Sequence, residues 1–256
     1  MKKYLMSFFI NLARIFTFTL NVFKGVFRSP FEWRELLDQC YWVGNKTVWI
    51  LGFISMITGF LFAKGSGPAL ERFGEESLLP GIVGIGIIRS FGPLITALIS
   101  AGKLGSVIGA DLSSLNISGP TDGIDASGTN SFQYVVVTRV LAVAIMLPLL
   151  VIYSDLICLL GGFLFVNFSS ETNISLYFLE IFDNVTITDL VITLIKPFFF
   201  GLGIGLVSTY SGYYSSRDSS GIGKAATASV VYSMVTMFIL DFISIQIVQF
   251  INQFNE

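Results

Sequence analysis

Five times along this chain a run of about 20 residues passes with scarcely a charge, the length an α-helix needs to cross a hydrocarbon layer of about 30 Å. In lipid the backbone finds no water, so each run must close its own hydrogen bonds as a helix. The runs lie at roughly 41–63, 78–101, 134–166, 190–210 and 225–250. The third is too long for one straight crossing, so a kink or re-entry is expected at Pro148 or Gly161-Gly162; Pro197 lies inside the fourth. Trp42 and Trp49 flank the start of the first run as interface anchors. Composition agrees: 12% of the 256 residues are charged, against about 25% in soluble domains. The chain is 53% hydrophobic, with a mean hydropathy of +0.76. The expected fold class is an all-α integral membrane protein: an N-terminal amphipathic interfacial helix followed by about five transmembrane helices. One domain is expected over 1–256, with helix and connector in 1–39 and the bundle in 40–252.

Several function classes fall away on composition. A net charge of −2 provides no basic face for nucleic acid. There is no histidine, which removes imidazole acid–base catalysis and His metal sites. Cys40 and Cys158 lie far apart, in or beside apolar runs, and offer neither a disulfide framework nor metal-ligand spacing.

Residues 4–28 are apolar with a polar stripe of Ser7, Asn11, Arg14, Asn21, Gly25 and Arg28, interrupted by Phe18. This pattern predicts a helix lying in the membrane interface. The alternative is a signal peptide, since Lys2 and Lys3 precede an apolar run; Arg14 interrupts that run and no small-residue cleavage site follows. Pro30 separates this stretch from a short polar segment. Lys and Arg residues outside the spans or in their end turns divide unevenly. Eleven fall on the N-terminal side of the membrane and only Lys64 and Arg72 on the other. The 167–189 loop, assigned to that other side, carries acids and no base. The charge bias predicts a cytoplasmic N-terminus and an external C-terminus.

Four charges fall in or near apolar runs: Arg89, Asp155, Lys196 and Asp241. Charges there are costly and face a partner or a cavity, although Arg89 could instead snorkel and Asp155 lie near an interface. Glycines cluster in and beside the spans, among them Gly81, Gly84, Gly86, Gly105, Gly109, Gly201 and Gly205. Their spacing suits close helix packing, within one chain or between two copies. The segment Ser219-Ser-Gly-Ile-Gly-Lys224 has a superficial likeness to a phosphate loop. Asp218 stands where the first glycine belongs and Ala225 where Ser or Thr belongs, so no nucleotide site is expected in this chain. A polar, turn-rich loop is expected from Asp111 to Gln133.

Residues 87–126 are more specific. The run Ile87-Ile-Arg-Ser-Phe-Gly-Pro-Leu-Ile-Thr-Ala-Leu-Ile-Ser-Ala-Gly-Lys-Leu-Gly-Ser106 resembles the signature of MlaE-family permeases, GP-x-x-TAL-x-x-AGR-x-GS. Ala110-Asp111 stands for the family's Ala-Glu pair, and Thr121-Asp-Gly-Ile-Asp-Ala126 for its acidic motif. Weaker likeness continues through Pro148-Leu-Leu, Leu194-Ile-Lys196, Gly212-Tyr213 and Leu240-Asp-Phe242, so that it covers roughly 40–250.

The resemblance implies a non-enzymatic permease at the centre of an ABC transporter in a bacterial inner membrane. Its C-terminus would be periplasmic, and the absence of an evident transit peptide favours bacteria over a chloroplast. The implied partners are a second copy, a cytoplasmic ATPase, an MCE-domain protein and a small STAS-domain subunit, with a phospholipid or related lipid as cargo. Cofactors are expected to be none in this chain, ATP and Mg belonging to the ATPase. The implied ATPase-coupling loop takes Lys103, Asp111, Thr121, Asp122, Ile124, Asp125 and Ala126. The implied lipid cavity and gate take Ser90, Gly92, Pro93, Thr96, Lys196 and Asp241. Lys103 replaces the family's arginine, Ser90 replaces a glutamate, and Asp122-Gly123 and Ser127-Gly128 replace Glu-Gln and Leu-Glu. These departures bear on cargo and coupling more than on fold. An ion-driven secondary carrier is the main alternative, but five spans do not divide into equal repeats. A membrane enzyme lacks a visible catalytic cluster, and a bare structural anchor would not need the intramembrane charges.

Overall fold

A computed structural model describes residues 2–27, 31–75, 78–118, 131–170 and 173–255, and all regular structure among them is helical. Helix α1 is Lys2–Val26 and α2 is Trp33–Phe73. Helix α3, Leu79–Gly86, passes through a π-helical turn, Ile87–Phe91, into α4, Gly92–Ser118. A second π turn, Gln133–Val137, leads into α5, Thr138–Ser170. Then come α6, Ile174–Asn184; α7, Ile187–Tyr213; and α8, Ser219–Asn255. Five helical stretches are long and apolar enough to cross a membrane: Trp33–Arg72, Leu79–Ile117, Gln133–Ser169, Ile187–Tyr213 and Ser219–Phe250.

Three details differ from the sequence reading. The third span has no re-entry: α5 runs on to Ser170 with Pro148 inside it, and the irregular turn lies earlier, at Gln133–Val137. The expected loop from Asp111 is helical as far as Ser118, because α4 continues through it. The acidic segment after the third span folds into α6, whose Tyr177 and Ile181 are buried. Helix α2 stops where Gly74 takes a positive φ of 71°. There Gly74 N–H bonds Glu71 O and Glu75 N–H bonds Leu70 O, each at 3.1 Å, a Schellman closure that only an achiral residue adopts without strain.

The chain forms two compact units. The first comprises Met1–Val43, Ala101–Val143 and Leu202–Thr236. In it α1 buries Phe18, Val22 and Gly25, spaced as one helical face. Phe18 stands edge-on to Phe132 at 5.6 Å and to Tyr210 at 5.4 Å, a favoured aromatic geometry. Phe18 and Gly25 therefore turn part of the line read as polar toward protein. Helices α4 and α8 touch where a Cβ on Gly109 would stand 2.1 Å from Ser229 Oγ. Asn116 ties the end of α4 to the end of α7, donating to the carbonyls of Gly212 and Tyr213 at 3.1 and 2.9 Å.

The second unit comprises Gly44–Ser100, Ala144–Gly201 and Met237–Glu256. Here α2 and α5 meet backbone to backbone. A Cβ on Gly59 would lie 1.8 Å from Cys158 O, and one on Gly161 would lie 2.1 Å from Met56 O. The buried hydroxyls of Ser55 and Ser154 bond across the same pair at 2.7 Å. Helix α6 lies on α3, where Gly84 leaves room for Ile181. Tyr177, fully buried, donates to Leu159 O at 3.2 Å. Burial raises its phenol pKa, which keeps that donor protonated. Ala63, Val83, Ile87, Cys158 and Ile181 belong to the apolar core around it.

Candidate functional site: a charged cleft in the second unit

Arg89 leaves the π turn between α3 and α4. A π turn contains an extra residue and re-aims the side chains around it, which is why such turns recur at functional positions. Arg89 Nε lies 2.6 Å from Asp189 Oδ1 and Nη2 lies 2.9 Å from Asp189 Oδ2. This is the planar fork-to-carboxylate geometry that only arginine makes. Asp189 has a second task. Thr186-Ile-Thr-Asp189 is a capping box at the start of α7: Thr186 N–H donates to Asp189 Oδ2 at 3.0 Å and Asp189 N–H faces Thr186 Oγ1 at 3.4 Å. The Thr186 hydroxyl adds a bond to Oδ2 at 2.7 Å. The arginine side chain is half exposed while Asp189 is buried, so the carboxylate is the fixed partner and the guanidinium the accessible one.

Two turns along α7, the Lys196 ammonium lies 2.5 Å from Asp241 Oδ1 on α8. Lys196 is buried, with its side chain only 6% exposed, and stands 5.6 Å from the centre of the Phe200 ring. Burying two charges costs several kcal/mol per ion before their attraction offsets it. A pair retained at that cost holds α7 and α8 in one register.

Arg89, Ser90, Asp189 and Lys196 line a cleft of about 470 Å³. Thr186, Thr188, Ser244 and Gln249 add polar groups, and Ile192, Ile245 and Val248 make an apolar wall. The cleft thus combines two ion-paired cations, the Asp189 carboxylate and several hydroxyls with a surface suited to hydrocarbon. Of the residues implied for the cavity and gate, Ser90 and Lys196 line it, and Asp241 reaches it through Lys196. Gly92, Pro93 and Thr96 are buried and are not among its lining residues. Gly92, Thr96 and Ser100 instead share one face of α4. A Cβ on Gly92 would fall 1.6 Å from Oδ1 of buried Asp155, and that oxygen and the hydroxyls of Thr96 and Ser100 have no hydrogen-bond partner among the described residues.

Of the residues implied for coupling, Lys103 is half-buried and Asp111 exposed, both on α4 in the first unit. Thr121, Asp122, Ile124, Asp125 and Ala126 lie outside the described residues. No group of three or more Cys, Asp or Glu suited to a metal occurs among the described residues. The sequence reading missed Asp189 as Arg89's partner. Its signal was present: a Thr-x-x-Asp capping box placed just before an apolar run.

Residues 36–247 match the family model described as Permease MlaE. A Rickettsia bellii protein named as a probable ABC transporter permease is 28% identical over 233 residues, 91% of this chain and 90% of the relative. A similarly named protein of Pyropia yezoensis is 32% identical over 241 residues, covering 92% of this chain and 86% of the relative. The Arabidopsis thaliana chloroplast protein TRIGALACTOSYLDIACYLGLYCEROL 1 is 25% identical over 223 residues, 87% of this chain and 64% of that protein.

Proposed function

This chain belongs to the MlaE permease family, and on that premise we propose that it moves a phospholipid or related lipid between the inner membrane and an MCE-type partner. In this reading the chain is the non-catalytic membrane subunit of an ABC transporter and works as a homodimer. ATP is hydrolysed on a separate subunit engaged by the segment around Lys103, Asp111 and Asp122–Ala126. A STAS-domain subunit completes the cytoplasmic side. The N-terminus is cytoplasmic and the C-terminus periplasmic.

The observation that carries the lipid reading is the divided lining of the cleft. Arg89 and Lys196 supply cationic groups for a phosphate, and Ile192, Ile245 and Val248 supply an apolar wall for an acyl chain. A small ion would need no such wall, and a wholly apolar solute no paired charges. The name of the Arabidopsis relative refers to a glycerolipid, which accords with an amphiphilic cargo. Ser90 sits on this cleft where the family motif carries an acid, so the site here has one negative charge fewer than that motif supplies, a difference that bears on the headgroup it takes.

Native mass spectrometry of the protein, gently purified from its own membranes, tests this reading. The expected particle holds two copies of the chain, an ATPase pair, an MCE assembly and bound phospholipid. A lone monomer without partner or lipid would overturn the ABC lipid-permease reading and favour an ion-driven carrier.

A further inference from the structure

The first unit contains a groove that the proposed transport path does not use. It has a volume of about 850 Å³ and runs between α1 and the facing parts of α7 and α8. Two cations line it, Arg14 from α1 and Lys224 from the first turns of α8. No Asp or Glu is among its described lining residues. Hydroxyls of Tyr210, Tyr214, Ser215 and Ser216 stand around the same end. The 37-residue helix α8 begins there, with Gly221 on the groove and its N–H donating to Asp218 O at 2.8 Å. The neighbouring anion is Asp218, near enough to Lys224 to feel its charge. Its carboxylate already accepts bonds from the Ser216 and Ser220 hydroxyls, which hold its pKa below the usual carboxylate range. The segment that fails as a nucleotide loop thus delivers a lysine and a helix start to one place.

Away from the cations the lining turns apolar, through Leu206, Val207, Ala228 and Val235. Val235 lies eleven residues beyond Lys224 on α8, about 16 Å at 1.5 Å per residue. That is close to half of a hydrocarbon core of about 30 Å, the depth of one leaflet. A free anion would use the cationic end and leave the rest empty, whereas a lipid matches both.

We propose that this groove is a binding site for an anionic glycerophospholipid. Its phosphate would lie between Arg14 and Lys224, and one acyl chain would lie along Ala228 and Val235. The site is separate from the Arg89–Lys196 cleft and does not depend on what that cleft carries. Two basic groups without a lining acid discriminate against phosphatidylcholine, whose own cation would meet them.

The test is lipid retention by the full chain in mild detergent, read by native mass spectrometry after adding palmitoyl-oleoyl phosphatidylglycerol or the matching phosphatidylcholine. The wild type is expected to retain the phosphatidylglycerol roughly thirtyfold better, the scale that two basic groups near a membrane surface supply. R14Q/K224Q should lose the preference and R14K/K224R should keep it. Millimolar inorganic phosphate should not displace the lipid. Equal retention of the two lipids by the wild type would overturn the proposal. So would a preference that survives R14Q/K224Q, which would place the lipid in the other cleft. Displacement by phosphate would reduce the groove to a simple anion site.

Discussion

At the scale of single residues, the two ion pairs of the second unit differ in kind. Arg89 is half exposed, so much of its attraction to Asp189 is screened by solvent, and the contact matters mainly for where it holds the guanidinium. Lys196 and Asp241 are largely withdrawn from solvent, and removing either leaves a charge stranded. Lys196→Met alone is expected to cost about 3–5 kcal/mol, the range for breaking a buried pair. Lys196→Met with Asp241→Leu should recover most of that stability, since apolar replacements of such pairs are near neutral. Thermal unfolding in detergent separates these outcomes, and a double variant as unstable as the single one would show that the pair does not act as a unit. If Lys196 also serves the proposed lipid path, the double variant should be stable yet deficient in lipid movement.

At the scale of helices, the glycines were legible as a class but not as individuals. Their spacing predicts close packing, and Gly59, Gly84, Gly109 and Gly161 do allow it within the chain. Which glycines matter depends on partners distant in sequence. Gly59 and Gly161 each face a carbonyl of the opposing helix, whereas Gly65 on α2 faces open space. Gly161→Ala should therefore force α2 and α5 apart and lower the unfolding temperature sharply, as overpacking costs about 1–3 kcal/mol or more. Gly65→Ala should be neutral or stabilising by about 0.5–1 kcal/mol through helix propensity. Equal unfolding temperatures for the two variants would refute this assignment of roles. The spans themselves were readable because hydropathy demands them. Helix α6 was not, since its 11 residues are too few for a span and its acids masked the spacing of Tyr177 and Ile181. The π turns left no composition signal, because a π turn differs from an α turn in hydrogen bonding and not in residue type.

At the scale of the whole molecule, membrane class and span count followed from the sequence because lipid leaves a chain few choices. The candidate cleft did not follow, because Arg89 and Asp189 lie 100 residues apart and meet only after α7 packs near the π turn. The motif Gly92 to Ser106 identified the family, yet Gly92 and Thr96 are buried on a packed face of α4. A strong motif can thus report helix packing as much as cargo contact. The proposed orientation has its own test. A periplasm-active reporter fused after Asn255 should be active, and one fused within 214–218 inactive; the reverse pattern would invert the topology and place the Arg89 cleft on the cytoplasmic side.

The double duty of Asp189 also makes the cleft asymmetric toward change. Replacing Arg89 leaves a carboxylate that still caps α7 through Thr186. Replacing Asp189 removes both the arginine's partner and the helix cap. The two positions are therefore unequal as starting points for divergence: a lineage can give up the arginine first and keep its helix start, whereas losing the aspartate first requires compensation at two sites together. In the proposed lipid reading, new headgroup specificities are more accessible through position 89 than through position 189.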